Sequence, residues 1–129
     1  MSAIAITVAA LLADDGVTAI VGERVHAVTG PQGTELPNVV LTLAGEADSY
    51  VLSGRSRFPE ATVIVDCRAS TYAQADVLAD RVVDALADLV NVELDGVTAT
   101  IMRGTLSVTD RGDDGRIFRR RQSFSVHWR

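Results

Sequence analysis

The sequence changes its hydrophobic period at Ser70-Thr71, and this change constrains the fold more than any other feature. Before it, small or apolar residues occupy every second position, which is typical of a strand with one buried face: Val63, Val65, Cys67 and Ala69. After it, apolar residues recur at helical spacing: Ala75, Leu78, Ala79, Val82, Leu86, Leu89 and Val90. Thr71, with Gln74 three residues later, fits a capping box. We therefore predict a strand that leads into a long amphipathic helix ending near Val90.

The length of 129 residues indicates one domain, residues 1–129, with room for a core that needs no disulfide. A single cysteine, Cys67, excludes an internal disulfide. The apolar stretch from Ala3 to Ala13 lacks a preceding basic residue and runs into Asp14-Asp15, which argues against a signal peptide. No apolar run is long enough to span a bilayer. We expect a soluble protein made in the cytoplasm.

The remaining elements are predicted from periodicity and from turn residues. We expect helical segments at Ser2–Ala13 and Val17–Val21, strands at Arg24–Val28, Asn38–Leu43 and Ser49–Leu52, and loops at Thr29–Pro37 and Ser53–Pro59. In the first helix the apolar spacing places Ile4, Val8, Leu11 and Leu12 on one face. Asp- and Gly-rich residues join two extended runs, Val97–Val108 and Arg116–Trp128, which indicates a C-terminal hairpin.

The hairpin completes the fold prediction. Its first run has Met102, Leu106 and Val108 as the apolar side, and its second run has Phe118, Phe124, Val126 and Trp128. The predicted class is α+β: a single antiparallel or mixed sheet, with an N-terminal helix and one long amphipathic helix packed on it, ending in a C-terminal β-hairpin.

The sequence offers no constellation for catalysis. Cys67 lies on the core side of its strand, where a thiol behaves as a small hydrophobe. His26 and His127, the two histidines, lack the companions and spacing of metal ligands or of a nucleophile–base pair. We therefore predict no enzyme, no catalytic residue, no cofactor and no metal site.

Charge is distributed unevenly along the chain. Residues 1–102 contain five arginines and fourteen acidic residues, a balance of −9, whereas residues 103–129 contain seven arginines and three acidic residues, a balance of +4. This separation suits self-association, in which the basic element of one subunit meets the acidic face of the next. The alternative is a basic strand that balances the charge of its own domain.

Two charged sets carry the interface hypothesis. The acidic stripe consists of residues at four-residue spacing on the predicted helix: Asp76, Asp80, Asp84 and Asp88. The hairpin arginines are Arg116, Arg119, Arg120 and Arg121. Because the stripe lies away from the apolar helix face, we expect the two sets to meet across a subunit boundary and not within one subunit. A merely solvated acidic face is the other interpretation.

The arginines do not indicate a DNA-binding module. Consecutive arginines on a strand point to opposite faces, so at most two of Arg119, Arg120 and Arg121 share a surface. The isoelectric point of about 4.8 is acidic, whereas nucleic-acid-binding domains are basic.

The order of segments along the chain resembles the tail-completion or tail-terminator family of long-tailed bacteriophages and phage-like gene transfer agents. The segments that carry the resemblance are Leu11–Gly22 running into Arg24-Val25, Pro31–Gly33, Leu36–Val40, Val63–Ala79 and Ile117–Val126. Because these are fold-forming patterns, the likeness rests on their order and on its extent, which is nearly the whole chain.

The resemblance implies a structural virion protein. Such a subunit forms a homo-oligomeric ring, usually a hexamer, on the head-proximal end of the tail tube, ends tube polymerisation and joins the tail to the head-side connector, with DNA passing through the lumen without specific binding. We expect the loops Thr29–Leu36 and Gly45–Pro59 to be mobile until they order against neighbouring proteins, with Arg55, Arg57 and Phe58 facing the tube or connector. The alternative is a small intracellular adaptor of a non-viral assembly.

Overall fold

A computed structural model describes residues 3–27, 36–51, 54–87, 89–94, 96–111 and 117–128. Its elements are α1 (Ala3–Leu12), α2 (Asp15–Val21), β1 (Val25–Ala27), β2 (Asn38–Val51), β3 (Gly54–Ala69), α3 (Tyr72–Leu86), β4 (Leu89–Leu94), β5 (Val97–Arg111) and β6 (Phe118–Trp128). The described strands form one sheet in the order β1-β2-β3-β6-β5-β4. Only the β1–β2 pair among them is parallel. The α+β prediction is confirmed.

The three helices pack on one face of the sheet. Each of the central strands buries one parity of residues against them: Val39 and Leu41 on β2, Val63, Val65 and Cys67 on β3, Ala99 and Ile101 on β5, and Phe124 and Val126 on β6. The helices contribute apolar stripes, of which Ile6, Leu11, Leu78 and Leu86 are fully buried. No described helix packs on the other face, which we call the open face. A two-layer arrangement of this kind leaves half of the sheet surface for other contacts.

Helix α3 begins where the sequence predicts and ends earlier. Thr71 is extended and caps the helix, because its Oγ1 accepts a hydrogen bond of 3.2 Å from the backbone N–H of Gln74. The predicted continuation to Val90 is wrong: Leu89 and Val90 begin strand β4. Leu89 still packs against the core from the strand. Because Leu89 is apolar and falls at helical spacing, the hydrophobic pattern continues in the sequence beyond Leu86, where α3 ends.

The N-terminal helices differ from the prediction in detail. Helix α2 starts at Asp15, two residues before the expected turn, because Asp14 caps it: Oδ1 accepts a 3.1 Å bond from the N–H of Val17. Helix α1 buries Ala3, Ile6, Ala10 and Leu11, whereas Leu12 is exposed. The buried stripe is thus rotated from the one that the apolar spacing predicts.

Strands β2 and β3 correct the predicted loops. Strand β2 continues unbroken to Val51, and β3 begins at Gly54, so most of the predicted loop Gly45–Pro59 is an antiparallel ladder. Strand β6 pairs with β3 only as far as Glu60. Beyond that point the ladder has no third strand in the described part of the chain, and we call residues 45–51 and 54–59 the β2–β3 ribbon. Residues 29–35 of the other predicted loop lie outside the described residues.

The C-terminal hairpin is confirmed, but the apolar side of β5 is wrong. Phe124 and Val126 of β6 are buried as predicted. On β5 the core residues are Ala99 and Ile101, whereas Met102 is 47% and Val108 37% exposed on the open face. Strand β5 carries apolar residues at both odd-numbered and even-numbered positions. The helices cover the odd-numbered residues Ala99 and Ile101. The even set therefore stands on the uncovered side of the sheet.

Candidate interaction surfaces

Arg120 links the hairpin to helix α3 within one chain. It lies on the helix-covered face of β6, where Nη1 is 3.3 Å from Asp76 Oδ1. The same guanidinium donates to the hydroxyls of Ser107 (3.1 Å) and Thr109 (3.3 Å) on β5. Two residues further along β6, on the same face, Gln122 Nε2 donates to the carbonyl of Ala79 at 3.4 Å. These contacts fasten α3 to two strands.

This contact corrects the interface hypothesis for one pair. We expected the acidic stripe and the hairpin arginines not to meet inside a subunit, yet Asp76 and Arg120 do. The reason is that Asp76 is half-buried at the start of the helix, where the stripe still borders the sheet. Asp80 and Asp84 further along are exposed. Asp88 and Arg116 lie outside the described residues.

A second charged cluster lies on the open face. Asp66 of β3 is only 6% exposed, and its Oδ2 is 3.1 Å from Arg68 Nε and 3.8 Å from Arg119 Nε. Arg121 is the register partner of Asp66 on β6. The cluster therefore places two guanidinium groups near one buried carboxylate, with Arg121 on the neighbouring register position. Arg119 and Arg121 of the predicted interface belong to it, and sequence reasoning missed Asp66 and Arg68, although the polar parity of the strand contained both.

The side chains of Arg55, Arg57 and Phe58 are outside what the structure describes, but their backbone lies on the β2–β3 ribbon. Arg55 is the register partner of Tyr50. The predicted tube- or connector-facing residues are thus carried by a strand and not by a loop.

An apolar groove lies between helices α2 and α3. Its lining consists of Ala19, Ile20, Ala73, Gln74 and Val77. Val77 is 50% exposed and follows the same side of α3 as Asp80 and Asp84. The carboxylates of Asp80 and Asp84 and the guanidinium of Arg81 therefore lie beside the apolar groove.

The Cys67 thiol is buried, and the His127 imidazole lies beside a carboxylate. Burial raises the pKa of the Cys67 thiol, and the charge of neighbouring Asp66 acts in the same direction, so the thiol stays protonated. No group of three or more His, Cys, Asp or Glu residues that could hold a metal occurs within the described ranges. His127 instead faces Glu60, with 3.3 Å between Nδ1 and Oε2.

No single helix within the described ranges is long and apolar enough to cross a membrane. Only α1 and α2 taken together, with an 88° bend between them, reach that length and composition.

The comparisons with known proteins decide the family. The family model described as "Tail completion protein gp17" matches residues 6–128. The chain belongs to this tail completion family. Tail completion proteins are structural proteins of phage-type tails. The protein is therefore located in the virion. The match spans both charged clusters and the groove, so all these surfaces belong to the family domain.

The fold also matches a solved structure. A chain of the "Virion of native gene transfer agent (GTA) particle" superposes with a TM-score of 0.71 at 22% sequence identity, over 98% of this chain and 94% of that chain. At this identity the likeness shows a shared fold. No curated protein matches the chain in sequence.

Proposed function

We propose that the protein closes into a ring, a hexamer, on the head-proximal end of a tail tube. The ring ends tube polymerisation and joins the tail to the head-side connector. The observation that carries this proposal is membership of the tail completion family over residues 6–128. Several distinct charged and apolar surfaces on the described part of the chain suit a role that consists of contacts.

The two sides of the subunit support ring closure. The helix side presents exposed Asp80 and Asp84, and the open face presents the cluster of Arg68, Arg119 and Arg121. Since these surfaces differ, copies that pair through them do so head to tail, and such heterologous contacts form closed rings when the rotation between copies allows it. The acidic stripe and the hairpin arginines thus remain the proposed subunit interface, apart from Asp76 and Arg120, which pair internally.

The β2–β3 ribbon is the proposed contact with the tube or the connector. It extends past the end of β6, beyond the part of the sheet that the helices cover. A two-stranded ribbon is not stable by itself in water, so contacts with a neighbouring protein are the expected source of further order. Arg55, Arg57 and Phe58 supply residue types that are enriched at interfaces. DNA passes through the ring without specific binding, in keeping with the net charge of −5.

Deletion of the gene in the producing phage or gene transfer agent tests this function. Negative-stain electron microscopy should show tails of unregulated length, or finished tails separate from heads. Wild-type protein supplied in trans should restore normal particles, and so should Cys67→Ala, because the thiol has no chemical role. Deletion particles with attached tails of normal length would refute the proposal.

A further inference from the structure

The open face carries exposed apolar residues as well as charge. Met102 and Val108 of β5 protrude on this face, and Val108 is the register partner of Arg121. Across the next strand, Arg121 is in register with Asp66. Exposed apolar side chains beside guanidinium groups are a typical composition for the core of a protein interface.

Strand β5 is irregular between Arg103 and Ser107, where its residues approach Ser123 of β6. Ser123 is buried there, and its Oγ accepts a 3.0 Å bond from the N–H of Leu106. Gly104 lies against it so closely that a Cβ at this position would overlap the Ser123 side chain. The irregular stretch of β5 therefore covers Ser123, and Met102 and Val108 stand exposed on either side of that stretch.

The opposite side of the molecule has the matching pattern. There the α2–α3 groove is apolar, with Ala19, Ala73 and Val77 exposed along it. Asp80 and Asp84 continue the line of Val77 along α3, and exposed Arg81 lies beside them near Gly16 of α2, so this surface carries a net charge of about −1. The groove thus joins an apolar surface to a negative one, as the open face joins an apolar surface to a positive one.

We infer that the open face of one copy seats on the α2–α3 groove of the next copy, with Val108 and Met102 against the groove and Arg119 and Arg121 facing Asp80 and Asp84. The occupant is a second copy of this chain because each surface carries the complement of the other in both charge and apolar character. The inference rests on the proposed ring and specifies its interface. The proposed interface now includes Arg68, Met102, Val108 and the groove. It no longer includes Arg120 and Asp76, which pair within one subunit.

Chemical crosslinking tests this contact. The double variant Val77→Cys/Val108→Cys places one thiol on each surface, both at exposed positions. The native Cys67 is buried and does not compete. A short bis-maleimide reagent should convert the double variant, in assembled particles, into a ladder of covalent multimers. An equal mixture of the two single variants should give covalent dimers and nothing larger, because each copy then carries one reactive surface.

Val77→Cys/Val90→Cys is the matched control. Val90 lies on strand β4 and is 63% exposed, more than Val108, but it is not on the proposed contact. We expect no ladder from this control. A control ladder as strong as that of Val77→Cys/Val108→Cys, or no ladder from the latter in particles with normal tails, would overturn the inference. The second result would contradict this interface but not the proposed ring. Normal tails in the deletion strain would contradict the proposed ring as well.

Discussion

Replacing Arg120 with Met removes the guanidinium that links α3 to β5 and β6 while keeping an apolar stem. Three contacts are lost: the 3.3 Å ion pair with Asp76 and the bonds to the hydroxyls of Ser107 and Thr109. The change therefore tests whether the internal network holds the helix to the hairpin.

The magnitude follows from the exposure of the partners. The Arg120 side chain is 19% and that of Asp76 42% exposed, so solvent screens the pair and its coupling should be about 0.5–1 kcal/mol. Ser107 and Thr109 are exposed and regain water, which limits each lost bond to about 0.5 kcal/mol. In sum, Arg120→Met should lower the free energy of unfolding by about 1–2 kcal/mol, and the melting temperature by roughly 4–8 °C.

A double-mutant cycle with Asp76→Asn measures the coupling. Urea titrations can follow Trp128, the single tryptophan, which packs against the core, at concentrations where the protein is monomeric. The control cycle pairs Arg120→Met with Asp80→Asn, which should be additive within about 0.3 kcal/mol because no described contact joins the two residues. If the Asp76 cycle is as additive as the control, Asp76 and Arg120 do not interact within the subunit. Asp76 would then belong with Asp80 and Asp84 in the proposed subunit interface.

Three further predictions concern the thiol, the interface and the sheet. Iodoacetamide at pH 8 should leave Cys67 unlabelled in the folded protein and label it in urea, because the thiol is buried and its raised pKa keeps it protonated; rapid labelling of folded protein would contradict this. Asp80→Arg/Asp84→Arg should weaken assembly about tenfold, as should raised salt, with the fold retained because both side chains are exposed, and with exposed Glu93→Arg as the control; sedimentation that neither treatment alters would exclude this interface. Gly104→Ala should cost about 1–3 kcal/mol in urea titrations because its Cβ meets the Ser123 side chain, and wild-type stability would refute that packing.

The sequence predicts secondary structure correctly where a single hydrophobic period extends over a whole strand or helix. The alternation from Val63 to Ala69 and the helix from Thr71 are confirmed because a single face of each is buried under continuous cover. The open-face cluster was only half predictable: the hairpin arginines are evident in the sequence, but their position around Asp66 depends on the pairing of β3 with β6.

Prediction fails where cover stops part-way along an element. On β5 the helices cover Ala99 and Ile101 but not the stretch with Val108, and periodicity does not tell which parity is under cover. Gly45, Gly54 and Pro59 in the β2–β3 ribbon predict a loop, but strand pairing overrides those signals. The open face of β5 is proposed for contact with a second copy, and the β2–β3 ribbon for contact with the tube or the connector.

Cryo-electron microscopy of the particles at the junction between head and tail tests the tube-capping ring most directly. We expect a closed ring of copies with this fold on the last layer of the tube at its head-proximal end, each copy seating its open face on the α2–α3 groove of the next. Copies located elsewhere on the particle, or isolated copies without a ring at this junction, would contradict it.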